Sequence, residues 1–259
     1  MTPNITYHGG PLMGTPNVYL IWYGSWNRSN GSDTPAGQQI VRDFLYGLNG
    51  SPYFQINKSY STPTGLINFT PANNETSPGY PYGSNLSDRK VASVVADAIN
   101  SHALPKDSSG VYFVLTSSDV NETSGFCTRY CGWHTYGTLT GTNIKYSFVG
   151  NANRCLNACA IQTTGPNDNA GVDGMVSVVA HELEEANTDP NLNAWYDANG
   201  AENADKCAWT FGQNPTLAGN GAYYNMTLPG LSTASRNYLI QRNLDATNSQ
   251  CYVSYNGAQ

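Results

Sequence analysis

The chain has 259 residues, enough for one large domain or two small ones around a buried core. Charged residues make up only 12% of it, against about 25% in an average globular protein. The net charge of −6, with 12 Lys and Arg in all, argues against a nucleic-acid partner. No apolar run reaches the length of about 18 residues that a membrane span needs, and the many aromatic and β-branched residues argue against disorder.

Residues 1–16 are turn-rich and read as an extended lead-in. Residues 17–23 are β-branched and aromatic and stop at Gly24, which predicts a strand. Ile40, Val41, Phe44, Leu45 and Leu48 recur at helical spacing and predict a helix over 35–48. Pro, Gly, Ser and Asn clusters restrict 49–87 to loop with one or two short strands, such as 65–70. Ser87 caps a second predicted helix, to Asn100, with an apolar stripe at Val91, Val94, Val95, Ala98 and Ile99. Residues 111–116 and 144–149 predict strands, and 127–141, glycine-rich and bracketed by cysteine, reads as a cross-linked loop. Beyond Pro190 the sequence is irregular, with a short helix expected near 235–244 and a last strand at 251–254. The alternation predicts an α/β fold: a mixed twisted sheet with packed helices, zincin-like in its order, in one disulfide-stapled domain. Its parts would be the lead-in 1–16, an α/β core 17–190 and an irregular C-terminal subdomain 191–259.

The stretch that carries chemistry is 176–190. A helix is expected there, starting near Asp173-Gly174 and stopping before Pro190. Its first half is apolar almost all round, so it runs through a core. Its second half places His181 and Glu185 on one face, with Glu182 beside them. This is the HExxH layout of zinc hydrolases with glutamate in place of the second histidine. A hydrolytic zinc needs three protein ligands, an open position and a nearby base. His181 and Glu185 supply two ligands, Glu182 stands where the general base stands, and Glu202 is the first choice for the third ligand. Asp189, Asp205 and His134 rank behind it; Asp189, next to Pro190, reads more readily as a helix stop. The acidic run from Asp197 to Asp205 also admits an irregular Ca²⁺ site, though not an EF-hand. Trp133, Trp195 and Trp209 read as core. No GxSxG elbow or P-loop is present.

Cys127, Cys131, Cys155, Cys159, Cys207 and Cys251 read as three disulfides, the first four pairing among themselves and Cys207 pairing with Cys251. The CxxxC spacings also admit a zinc site, a weaker reading in an oxidising compartment. Asn-X-Ser/Thr sequons fall at Asn4, Asn27, Asn30, Asn49, Asn57, Asn68, Asn74, Asn85, Asn121 and Asn225. Their density from Asn27 to Asn85 reads as a glycan-coated half of a secreted, extracellular protein. No leader is visible, so a secreted chain would be shown in its mature form.

Several motifs, taken in order, resemble those of the EXORDIUM / phosphate-induced protein 1 family of secreted plant proteins. They are Tyr7-His8-Gly9-Gly10-Pro11, the strand from Asn17 to Tyr23, the segment from Phe126 to His134, the segment from Tyr146 to Asn151, Cys155-Leu156-Asn157-Ala158-Cys159 and Gly171-Val172-Asp173-Gly174-Met175. The resemblance covers about residues 7 to 255. It implies an extracellular or cell-wall protein associated with growth responses, without an established enzymatic activity. The plant members' segment matching 176–189 generally lacks the His-Glu pair; this chain departs there and is similar to microbial relatives carrying an HExxE helix. Two functions are therefore expected from the sequence. One is a secreted zinc-dependent peptidase acting on peptide or protein substrates. The other is a non-enzymatic extracellular or cell-wall glycoprotein, with a structural metal or none, which the low charge and the Tyr and Asn content also allow to self-assemble.

Overall fold

The computed structural model describes residues 4–255. Its centre is a five-stranded sheet built from β1 (Asn17–Tyr23), β2 (Glu75–Gly79), β3 (Gly110–Thr116), β4 (Gly132–Leu139) and β5 (Thr142–Gly150). The order across the sheet is β2-β1-β3-β5-β4. The first four of these strands are parallel neighbours, and β4 closes one edge antiparallel to β5. Successive side chains of a strand point to opposite faces. On β1, Val18, Leu20 and Trp22 enter one core, while Tyr19, Ile21 and Tyr23 enter another. Both faces are covered, which is why β1 and β3 read as continuous apolar runs.

The first face packs on α1 (Pro35–Leu48) and α3 (Ala170–Thr188), the second on α2 (Asp88–Asn100). Helices α1 and α2 start where caps predict, with Thr34 Oγ1 accepting from Gly37 N at 3.0 Å and Ser87 Oγ from Lys90 N at 3.3 Å. Helix α3 begins earlier than its sequence signals suggest. Asn169, not Asp173, is the N-cap, accepting from Val172 N at 3.2 Å. Asp173 is instead taken up by Asn167, whose backbone N and Nδ2 both donate to it.

Three further expectations give way. The predicted loop at 127–141 contains β4, paired with β5 through the two-residue turn Thr140-Gly141, both with positive φ. The strand expected at 65–70 reduces to one bridge, Asn17 to Asn68, and the sheet edge is formed by Glu75–Gly79. The helix expected near 235–244 is two short strands, Arg236–Tyr238 and Asn243–Asp245, because the side chains of Asn225 and Ser177 take the backbone N–H groups of Ile240 and Gln241.

The C-terminal part is fastened into the same core. Met226, Leu228, Tyr238 and Ile240 join the cluster of α1 and α3. Asp43 of α1, fully buried, accepts from Leu231 N and Ser232 N at 2.9 Å and from Arg236 Nη2 at 2.8 Å. Burial alone would raise its pKa, but the Ser232 and Arg236 hydrogen bonds outweigh that and lower it to about 2. Asp43→Asn is expected to cost about 1.5–3 kcal/mol, the worth of a charged hydrogen-bond cluster. A carboxylate with a depressed pKa stabilises above its unfolded pKa, so the deficit should be full at neutral pH and close as pH falls from about 4 toward 2. Urea unfolding of both proteins across that range checks it.

The cysteines pair as Cys127–Cys155, Cys131–Cys159 and Cys207–Cys251, and no free thiol exists among the described residues. That removes the CxxxC zinc reading. The chain is a mixed α/β single domain with several small sheets besides the central one. Among the described residues no helix is long and apolar enough to cross a membrane.

Candidate metal centre

Helix α3 is nearly all buried and lies beneath the edge strand β4. The approach is close at Gly132, where a Cβ would stand 2.7 Å from Val178 Cγ1. That contact sets β4 against the helix so that His134, two residues on, faces the helix's second half. A third element, the segment after Pro190, brings Glu202 and Asp205 to the same place. The three enclose an open cleft of about 320 Å³ lined by Gly132, Trp133, His134, His181, Glu182, Glu185, Glu202, Asp205 and Trp209.

The contacts are specific. His134 Nε2 lies 2.9 and 3.2 Å from the two oxygens of Glu202 and 3.7 Å from Glu185 Oε2. His181 Nε2 lies 3.0 Å from Glu185 Oε1 and 3.3 Å from Asp205 Oδ1. Backbone bonds lock the third element on: Asp205 N donates to Glu185 Oε1 at 3.1 Å, and Glu202 N donates to Asp205 Oδ2 at 3.2 Å. His134, Glu182, Glu185 and Glu202 are buried; Asp205 is the exposed member.

Electrostatics follow from crowding carboxylates out of water. Burial disfavours the imidazolium of His134, but Glu202, Glu185 and Glu182 around it win and push its pKa up to about 9. His181 is raised in the same way, burial being overcome by Glu185 and Asp205. Burial raises Glu182 and Glu202, Glu185 adds to the rise, and the histidines counter it. Asp205 is lowered, because bonding to His181 outweighs its burial. The cluster is short of positive charge.

The donor chemistry fits a divalent transition metal. Two sets, His134-Glu185-Glu202 and His181-Glu185-Asp205, each bring their ligand atoms within 4.8 Å of one another. Imidazole combined with carboxylate suits zinc and its neighbours, whereas Ca²⁺ takes oxygen alone.

The sequence-predicted residues His181, Glu182, Glu185, Glu202, Asp205 and His134 meet in one cleft, but the expected ligand set His181-Glu185-Glu202 is not one of the two: Asp205, ranked behind, stands with His181 and Glu185, and Glu202 stands with His134. Asp189 does not join a donor set. Its Oδ1 accepts from Asn193 N and Ala194 N, both at 2.6 Å, closing the turn after α3. Asp197 does not join either; it bonds Asn199 N, Ala201 N and Lys206 Nζ and closes a turn. Trp209, read as core, is 47% exposed at the cleft mouth with positive φ. Only the fold shows that, since a tryptophan's sequence neighbours do not say which side faces solvent. Trp195 is packed against Tyr7 and Tyr60, away from the cleft.

Among the sequons, Asn4, Asn27, Asn30, Asn49, Asn68 and Asn85 are exposed and Asn74, Asn121 and Asn225 partly so. Asn57 is fully buried, bonded to Asn187, Asn203 and Asn243, so that sequon is structural and not a glycan site in the folded chain.

Comparison with known proteins adds the following. The model of the phosphate-induced protein 1 conserved region matches residues 5–254. The chain is 31% identical to Protein EXORDIUM-like 3 of Arabidopsis thaliana, over 92% of this chain and 79% of that one. It is 30% identical to Protein EXORDIUM-like 5 of the same plant, over 87% of this chain and 68% of that one. Against Protein PHOSPHATE-INDUCED 1 of Nicotiana tabacum the identity is 28%, over 95% and 87%. No solved structure matches.

Proposed function

The chain belongs to the phosphate-induced protein 1 family, and on that premise we propose that it is an extracellular protein of the EXORDIUM type whose cleft holds a divalent metal ion, zinc in the first place. The observation that carries this reading is the position of Glu185, one oxygen toward His181 and the other toward His134, with Asp205 and Glu202 behind them. Buried carboxylates in such number are costly unless cations pair with them. Three disulfides and several exposed sequons support an extracellular setting.

A second reading, a zincin-like zinc peptidase, rests on Glu182 and β4. Glu182 lines the cleft beside the donor sets, and burial holds its carboxyl ready to take up a proton near neutral pH. β4 is a sheet edge whose outer side can pair with an extended peptide backbone beside the cleft. Zinc bound there would supply Lewis-acid polarisation; Glu182 would hold the proton, and Trp209, exposed beside the cleft, would flank the peptide.

Metal analysis of protein purified without chelators is expected to find zinc bound at the cleft. Glu182→Gln should keep that metal. If a peptide library is cleaved by the parent and not by Glu182→Gln, the peptidase reading holds; metal with no cleavage of any peptide leaves the binding protein. Native protein free of metal, and unable to take it up, refutes both.

A further inference from the structure

The cleft contains not one donor set but two, and Glu185 alone is common to them. On one side stand His134 Nε2 and Glu202, 2.9 Å apart, with Glu185 Oε2 at 3.7 Å. On the other stand His181 Nε2 and Asp205 Oδ1, 3.3 Å apart, with Glu185 Oε1 at 3.0 Å. Each side has its own imidazole and its own terminal carboxylate, and each gathers its ligand atoms within 4.8 Å. A carboxylate that turns one oxygen to each of two such sets has the geometry of a bridge.

Charge counting leads the same way. Glu182, Glu185, Glu202 and Asp205 carry four negative charges when ionised, and the two imidazoles bind metal in their neutral form. One divalent ion compensates at most two of these charges, and a second accommodates the rest as far as they are ionised. Among the described residues no arginine forms an ion pair with any of the four, and Arg129, which lines the cleft, is exposed.

We propose that the cleft is a binuclear centre, in which Glu185 bridges one divalent cation held by His134 and Glu202 and a second held by His181 and Asp205. This deepens the reading of the cleft as a metal site and rests on it. The second cation lies on the outer side, since Asp205 is the exposed ligand and His181 is less buried than His134. It is therefore the one that exchanges faster and is lost first to a weak chelator.

The test is stoichiometry. The intact protein is stripped with chelator and titrated with Zn²⁺ and, separately, Mn²⁺, with metal content measured after gel filtration. The parent should take up two equivalents per chain, Asp205→Asn and Glu202→Gln one each, and circular dichroism should show both variants folded. Crystals soaked in Mn²⁺ should give two anomalous peaks in the cleft, about 3.5–4 Å apart as in other two-metal sites. Saturation of the parent at one equivalent, or a single peak in the cleft, overturns the binuclear proposal and leaves the metal site standing. Two equivalents retained by both variants also overturn it, by placing the ions elsewhere. No uptake of either metal overturns the metal reading itself.

Discussion

Glu185→Gln is expected to weaken zinc binding in the cleft on the order of a hundredfold or more, the upper end of what supporting residues alone can cost a metal site. The substitution keeps the side chain's size. It also keeps an oxygen for Asp205 N, which donates to Glu185 Oε1 at 3.1 Å, so the segment carrying Glu202 and Asp205 should stay docked. What it removes is a negative charge from between His134 and His181 and one of the two oxygens that face them. In metal-free protein the substitution also takes a counter-ion from two imidazoles whose pKa it helps to raise, so the variant should melt somewhat lower than the parent. The gap should widen when zinc is added. A ligand at one hundred times its Kd stabilises by about 2.7 kcal/mol; the parent should gain this and the variant should not. Competition against a chromogenic chelator and melting curves with and without zinc read the two effects separately. Equal zinc affinity in both proteins would refute the placement of the metal at Glu185.

The neighbouring residue gives the second large effect, and it is one of pH. Glu184 is fully buried on α3 beside Tyr53, Tyr60 and Asn243. Burial holds its carboxyl well above the ordinary range, and the adjacent Tyr53 and Tyr60 are raised by the same seclusion. The folded protein thus keeps a proton that the unfolded chain releases near the usual glutamate pKa. Wherever the folded state binds more protons, stability falls as pH rises, by about 1.4 kcal/mol per pH unit for one group. Glu184→Gln abolishes that slope. Parent and variant should be closest in stability near pH 4, and the variant should gain on the parent as pH rises above that. Denaturant unfolding at pH 4, 6 and 8, with chelator present, measures it. A stability gap independent of pH, or one that favours the parent more at pH 8, would mean that Glu184 is ionised and paired in the folded state.

These two glutamates mark what the sequence could and could not say about the site. The HExxE spacing places His181 and Glu185 on one face because helical periodicity is local. Glu202 and Asp205 were legible as candidates only by proximity in the chain. His134 ranked low because its segment read as loop: Gly132, Gly137 and Gly141 suppress the strand signal. Gly132 is required by the close approach of Val178, and Gly141 by its turn, where φ is +80°. The Thr140-Gly141 pair ahead of an apolar run was the available hairpin signal. Elements with a strong internal period, 17–23, 35–48, 88–100 and 110–116, are found where they are expected. The expected helix at 235–244 fails because side chains distant in sequence, Asn225 and Ser177, take the backbone's hydrogen bonds. No local reading contains that information. The zincin-like order of elements is compatible with the sheet, but without a matching solved structure it stays part of the proposal.

Cys127–Cys155 and Cys131–Cys159 each span 28 residues, and both rings enclose the whole β4–β5 hairpin. The two margins of the sheet therefore differ in kind. At the far margin, β2 is held by backbone pairing with β1 and by the Glu75 contacts to Arg42 and Trp22. At the near margin, the strand bearing His134 cannot drift from its partner by more than the covalent rings permit. Fraying of the sheet must begin at β2, and amide hydrogens there should exchange before those of β4, even though both are outermost strands. Oxidation thus sets the order in which the molecule comes apart, and the wall of the cleft is the part it preserves longest.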